Sequence, residues 1–153
     1  MKNSQEMYKA TKEIIKGLDK HDLRYRFKHY EYPDGSMEDH DWITLSFAAD
    51  NISSIDLQMF VYDDDFIDIK SYICKVDEKK FTSVLKTLNN LNRSHFHIKL
   101  FTTNDNEICA ETTPYLLASD DNYANRIIDF IFGFASIIDE VYPQIMKSVW
   151  GND

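Results

Sequence analysis

The chain is 153 residues long, 43% hydrophobic and 14% aromatic, with 26 acidic and 17 basic residues and a formal net charge of −9. That length and apolar content argue against disorder and make a single domain, residues 1–153, the simplest organisation. A chain of this size hides roughly 68–70% of its unfolded surface on folding, so a core requires neither metal nor disulfide. The acidic balance repels phosphate backbones and anionic membranes, so neither nucleic acid nor membrane is expected as a partner.

A first helix is expected over residues 3–20, with Asn3 as cap, Glu6 at capping-box spacing, and Met7, Ala10, Ile14 and Leu18 on one face. Gly17 should weaken its last turn. Leu23, Tyr25 and Phe27 then alternate with Arg24, Arg26 and Lys28, the pattern of a half-buried strand. Pro33, Asp34 and Gly35 mark a turn. Ile43, Leu45 and Phe47 define a second strand, Ile55, Leu57, Met59 and Val61 a third, and Ile67, Ile69 and Ile73 a fourth. Short turns between consecutive strands, including Asp63, Asp64 and Asp65, imply an antiparallel meander.

Asp77 opens a second helix, with Val76 and Phe81 placed as a hydrophobic staple and Phe81, Val84, Leu85, Leu88 and Leu91 as its apolar face. Its end in Asn89, Asn90, Leu91 and Asn92 suits a left-handed terminus. A hairpin follows, with Phe96, Ile98 and Leu100 on one strand, a turn at Asn104, Asp105 and Asn106, and Ile108 and Ala110 on the return. The last element is a long helix over residues 122–150. Tyr123, Ile127, Phe130, Ile131, Phe134, Ile138, Val141, Ile145 and Val149 form its stripe, flanked by Ile128, Phe132, Ile137, Tyr142 and Met146. Pro143 is expected to kink or break it. The fold class is therefore α+β: an antiparallel sheet of about six strands, in the order α-β-β-β-β-α-β-β-α, packed against three helices.

Residues 1–6 lead into an amphipathic segment rather than an apolar signal core, and no apolar run approaches the ~20 residues of a membrane span. Cys74 and Cys109 lack metal-ligand spacing and are expected to stay reduced. The expected location is the cytoplasm.

If the alternating aliphatics face the helices, the opposite sheet face is found by subtraction. It carries Arg24, Arg26, Lys28 and Tyr30, then Trp42, Thr44 and Ser46, then Asp56, Gln58, Phe60 and Tyr62, then Phe66, Asp68, Lys70 and Tyr72, with His97, Lys99 and Phe101 from the hairpin. Aromatics mixed with arginine are the usual makeup of binding surfaces, although aromatics also favour strands for packing alone. The candidate partner-binding residues are Arg24, Arg26, Tyr30, Trp42, Phe60, Tyr62 and Tyr72.

Catalytic signatures are missing. The four glycines are scattered, so there is no phosphate loop, and no nucleophile elbow is present. His95 and His97 share a strand side, with Cys109 or Glu111 conceivable across the hairpin, but structural zinc wants four ligands. The group Asp63, Asp64, Asp65 and Asp68 lacks calcium-loop spacing and reads as a solvated turn. No catalytic residue, metal or cofactor is expected.

Several stretches resemble the YbjN-like family of small bacterial proteins. They are the acidic turn at residues 61–66, Val76-Asp77-Glu78, Leu88-Asn89-Asn90-Leu91-Asn92, Phe96-His97-Ile98-Lys99-Leu100, Glu107-Ile108-Cys109-Ala110, and Asp139-Glu140-Val141-Tyr142-Pro143-Gln144-Ile145. The resemblance covers most of residues 4–150; residues 38–41 and the basic, aromatic first strand match no family motif. It implies a regulator without enzyme activity, of the kind proposed for sensory transduction. It also implies a fold similar to class I type III secretion chaperones, which are small, acidic and usually dimeric.

Three functional classes remain. The leading expectation is a non-enzymatic regulator or chaperone-like module that dimerises and holds a protein or peptide client. The alternative is an immunity or inhibitor protein that neutralises a basic toxin. A small-ligand carrier or enzyme would need a concave pocket with convergent polar groups, for example around His95, His97 or residues 63–68.

Overall fold

The computed structural model describes residues 7–151. Its elements are α1 (Lys9–Lys20), β1 (Tyr25–Tyr30), β2 (His40–Phe47), β3 (Ile55–Val61), β4 (Ile67–Lys75), a 3-10 turn (Glu78–Lys80), α2 (Phe81–Ser94), β5 (Lys99–Thr102), β6 (Glu107–Thr112) and α3 (Tyr123–Trp150). The six strands form one antiparallel sheet in the order β1-β2-β3-β4-β6-β5. The expected α+β class, element order and meander are present.

Chain contacts gather into two compact units, and β3, β4 and α3 each contribute to both. Among the described residues, the first unit comprises residues 7–46, 58–69 and 113–132. Its core is the inward side of α1 (Ala10, Ile14, Leu18), the alternating strand residues Ile43, Leu45, Met59, Val61, Ile67 and Ile69, and the first turns of α3. Period two on the strands and period 3.6 on the helices place these aliphatics on one side of each element. Gly17 lies where α1 meets α3: a Cβ there would stand 2.6 Å from the Ala124 carbonyl oxygen and 2.8 Å from Ile128 Cγ1.

Asn3 and Glu6, the expected cap residues, lie outside the described residues. The helix itself begins at Lys9, and Tyr8 in the cap position offers no side-chain cap. Carboxylates from β2 and from the β3–β4 turn do that work. The Tyr8 N–H donates to Asp41 Oδ2 at 3.2 Å, and the Ala10 N–H donates to Asp64 Oδ1 at 3.1 Å. Two of the amides a helix start leaves unpaired are thus met by anions, which the helix dipole also favours.

Among the described residues, the second unit comprises residues 47–57, 70–112 and 133–151. Its core joins Ile55 and Leu57, the α2 face Val84, Leu88 and Leu91, the hairpin residues Leu100, Ile108 and Ala110, and the α3 stripe Phe134, Ile138, Val141, Ile145 and Val149. Asp77 caps the 3-10 turn by accepting from the Lys79 N–H at 3.0 Å. Leu85, expected on the apolar face of α2, is 42% exposed.

Pro143 does not break α3, which runs through it. The reason lies four residues upstream. Proline has no N–H to give the Asp139 carbonyl, and that oxygen instead accepts from Asn51 Nδ2 at 3.1 Å. The Asp139 carboxylate accepts in turn from the Asp50, Asn51 and Ile52 N–H groups at 3.3, 2.8 and 3.2 Å. The Asp-x-x-Tyr-Pro segment therefore clips the β2–β3 loop to α3. Asp139→Ala is expected to cost about 1–2 kcal/mol, because these bonds go to a charged acceptor but are partly solvated. Amide hydrogen exchange at residues 50–52 should rise while exchange in the core strands stays slow.

The other short motif also has a structural reason. The asparagines ending α2 adopt no left-handed backbone; among the described residues positive φ occurs at Asp22, Gly35, Asn106 and Asn122. Instead, Asn92 pairs with the backbone of Leu100, donating from Nδ2 to its carbonyl at 2.9 Å and accepting its N–H at 2.8 Å. The amide thereby acts as a one-residue partner for the edge strand β5. Asn92→Ala leaves a half-buried N–H and C=O without their partner and is expected to cost about 1–3 kcal/mol, read as a lower denaturant midpoint with unchanged slope. The hairpin starts later than expected: Phe96 is 87% exposed and the strand begins at Lys99. Because α2 persists to Ser94, the chain needs residues 95–98 to reverse, with the Ile98 N–H reaching the His95 carbonyl.

Candidate functional site: a basic and aromatic sheet face

The register of β1 on β2 fixes which side chains share a face. Tyr25, Phe27 and His29 stand opposite Leu45, Ile43 and Asp41, while Arg26, Lys28 and Tyr30 stand opposite Thr44, Trp42 and His40. The first set lies with the buried aliphatics. The second forms the other face, as expected from alternation, and β3 adds Gln58 and Phe60 to it in the same unit, with Tyr62 just beyond the strand end.

His40 is the hub of this face and was not singled out from the sequence, where it sits within an acidic loop pattern. It is 5% exposed. Its ring stacks with Tyr30 at 5.2 Å and Tyr32 at 5.9 Å, and it meets Phe60 and Tyr62 at 5.7 and 5.6 Å. The Glu38 carbonyl, 3.0 Å from Nδ1, accepts a hydrogen bond there and so assigns the proton to Nδ1. Trp42 meets Tyr30 edge-on at 6.1 Å and donates its Nε1–H to Gln58 Oε1 at 3.3 Å. Lys28 Nζ sits 4.3 Å from the Tyr30 ring centre. Arg24 and Arg26 are exposed, and no acidic partner stands against either among the described residues. Six of the seven candidate residues thus belong to one unit. The seventh, Tyr72, lies on β4 in the other unit, 40% exposed, with its phenol raised first by burial and then by Cys109.

The buried face of the same strands carries a polar group with a catalytic look. Asp41, fully buried, lies 2.6 Å from His29 Nδ1, and the Thr11 hydroxyl donates to its Oδ2 at 2.5 Å. A nucleophilic triad needs the hydroxyl on the far nitrogen of the histidine. Here Thr11 bonds to the carboxylate itself, is fully buried, and His29 Nε2 faces Glu31 at 3.5 Å. The group anchors α1 to the sheet.

The other sequence candidates disperse. His95 Nδ1 lies 3.0 Å from the Leu91 carbonyl and Nε2 lies 3.7 Å from Glu140, whereas His97 is exposed. Asp63 accepts from the Asp65 and Phe66 N–H groups at 2.7 Å each, so it builds the turn. No trio of metal-ligating side chains occurs among the described residues. Burial and then Glu107 raise the Cys74 thiol, which disfavours a reactive thiolate.

Among the described residues each unit carries a cleft. In the first unit, a cleft of about 310 Å³ is bordered by Lys9, Glu13, Lys16 and Lys20 of α1 and by residues 118–125. Its lining residue Tyr123 is 1% exposed, has no hydrogen-bond partner for its hydroxyl, and is raised far above the usual tyrosine range by burial and then by Asp64, Asp65 and Glu13. In the second unit, a cleft of about 410 Å³ lies between α2 and α3, lined by small polar groups such as Ser83, Thr87, Asn90 and Ser148. Neither is lined by His95, His97 or residues 63–68. Among the described residues no helix is long and apolar enough to cross a membrane.

No family model matches the chain, and no curated protein matches it. Among solved structures it is similar to YbjN from E. coli, a candidate transcription regulator, with 13% identity and a TM-score of 0.56 over 86% of this chain and 87% of that one. It is also similar to an uncharacterized protein from Methanothermobacter thermautotrophicus, with 19% identity and a TM-score of 0.54 over 92% and 99%. At such identities the likeness speaks for the fold alone, and the fold of this chain is YbjN-like.

Proposed function

We propose that this chain is a non-enzymatic binding protein, a regulator or chaperone-like module, whose protein or peptide partner docks on the face carrying Arg24, Arg26, Tyr30, Trp42, Phe60 and Tyr62. One observation carries the reading. Two exposed arginines without acidic partners stand beside half-buried aromatics, in a chain whose net charge is −9. Desolvated aromatics flanked by arginine are where binding energy concentrates at interfaces, and locally reversed charge steers a partner of the opposite sign.

The test is affinity capture from the native cell with wild type, Trp42→Ala, Arg26→Glu and, as a control, His97→Ala, an exposed position in the second unit. The reading expects one or more proteins recovered by wild type and His97→Ala and lost by both face variants. Equal recovery by all four overturns it. The reading further takes the working unit to be a cytoplasmic homodimer, for which light scattering after size exclusion should give the mass of two chains.

A further inference from the structure

We infer that β1 receives an extended acidic segment of a partner protein as an added strand. The inference rests on the proposal that this face binds a partner, and it names the partner's chemistry. β1 ends the sheet, so alternate N–H and C=O groups along it point away from β2. Among the described residues nothing pairs with that outer edge. At six residues it spans roughly 20 Å. The strand at the opposite end of the sheet order, β5, differs: Asn92 already takes both backbone groups of Leu100.

Charge selects the occupant. Arg26 and Lys28 sit at alternate positions of β1 and project to one face, and Arg24 stands one residue before the strand. A second copy fits poorly. Antiparallel pairing of two β1 strands centred on Phe27 sets Arg26 against Lys28 of the other copy, and like charges directly opposite are destabilising. A nucleic-acid strand fits no better. Base stacking needs free ring faces, and Tyr30 has Lys28 over its ring and His40 stacked against it. An acidic strand meets both demands. Carboxylates at positions i and i+2 oppose Arg26 and Lys28, and an apolar residue between them covers Phe27, which is 37% exposed on the other side of β1. Proline is barred wherever the incoming N–H must reach β1.

The experiment is fluorescence anisotropy with labelled peptides of about nine residues, long enough to span β1. The alternating Glu/Val peptide is compared with one of the same composition in two blocks, and with the alternating peptide N-methylated on every second residue. The expected result is saturable binding of the alternating peptide only. The Arg26→Glu/Lys28→Glu variant, checked for folding by circular dichroism, should weaken it roughly tenfold or more. Equal binding of the N-methylated or block peptide reduces the effect to charge alone and overturns strand addition, as does no binding at millimolar peptide. If the peptides fail while Trp42→Ala still loses its cellular partner, strand addition falls and the binding face stands. If Trp42→Ala keeps that partner as well, both fall.

Discussion

Replacing Asp41 with alanine is expected to cost about 3–5 kcal/mol of folding stability, because a buried donor left without its acceptor costs about 1–3 kcal/mol and more than one is stranded here. The carboxylate is fully buried, and three groups converge on it: the Tyr8 N–H, the Thr11 hydroxyl and the His29 ring. The Thr11 hydroxyl and the Tyr8 N–H cannot turn to water without moving α1, because Thr11 is itself fully buried and Tyr8 begins the helix. The loss therefore combines unmet donors, a weakened helix start and a void. Denaturant unfolding followed by tryptophan fluorescence should show the midpoint fall. His29→Gln removes one contact and leaves the other two, so about 1–2 kcal/mol is expected there. An Asp41→Ala protein within about 1 kcal/mol of wild type would mean that the buried group holds nothing.

The contrast between Asp41 and its neighbours on β2 shows what a sequence makes legible. Ile43 and Leu45 announce their side of the strand by period two, and the stripe from Tyr123 to Val149 announces itself by period 3.6. Both patterns are local and belong to the element alone. Asp41 reads as one more acid in a polar run, because its partners stand 12 and 30 residues away in the chain. That α3 runs unbroken through Pro143 is illegible for the same reason. The rule that proline breaks helices counts the bond lost inside the helix, and here the freed Asp139 carbonyl is met by Asn51, 88 residues earlier. Phe96 continued an alternation that the longer α2 had already overrun. For the candidate face, alternation correctly put Arg26, Tyr30 and Trp42 on one side. It had no means of ranking His40 above them, since a hub is defined by the rings around it and those come from different strands and loops.

Gly17 and Gly133 should respond to the same substitution with opposite sign. Both are glycines within helices, where alanine ordinarily gains roughly 0.5–1 kcal/mol by limiting the unfolded backbone. Gly133, exposed on α3, has nothing within 4 Å of an added Cβ, so Gly133→Ala should gain about that amount and raise the melting temperature. At Gly17 the added carbon would meet the Ala124 carbonyl oxygen at 2.6 Å and Ile128 Cγ1 at 2.8 Å. An isoleucine side chain can change rotamer; a helix carbonyl yields only if the whole helix shifts. Overpacking of this kind costs typically about 1–3 kcal/mol. It outweighs the propensity gain, so Gly17→Ala is expected to destabilise by about 1–2 kcal/mol and Gly17→Val by more. Differential scanning calorimetry of the two alanine variants gives the sign directly. A stabilised Gly17→Ala protein would show that α1 and α3 do not approach at this position, and that the residue reads, as its sequence alone suggests, as a weak last turn.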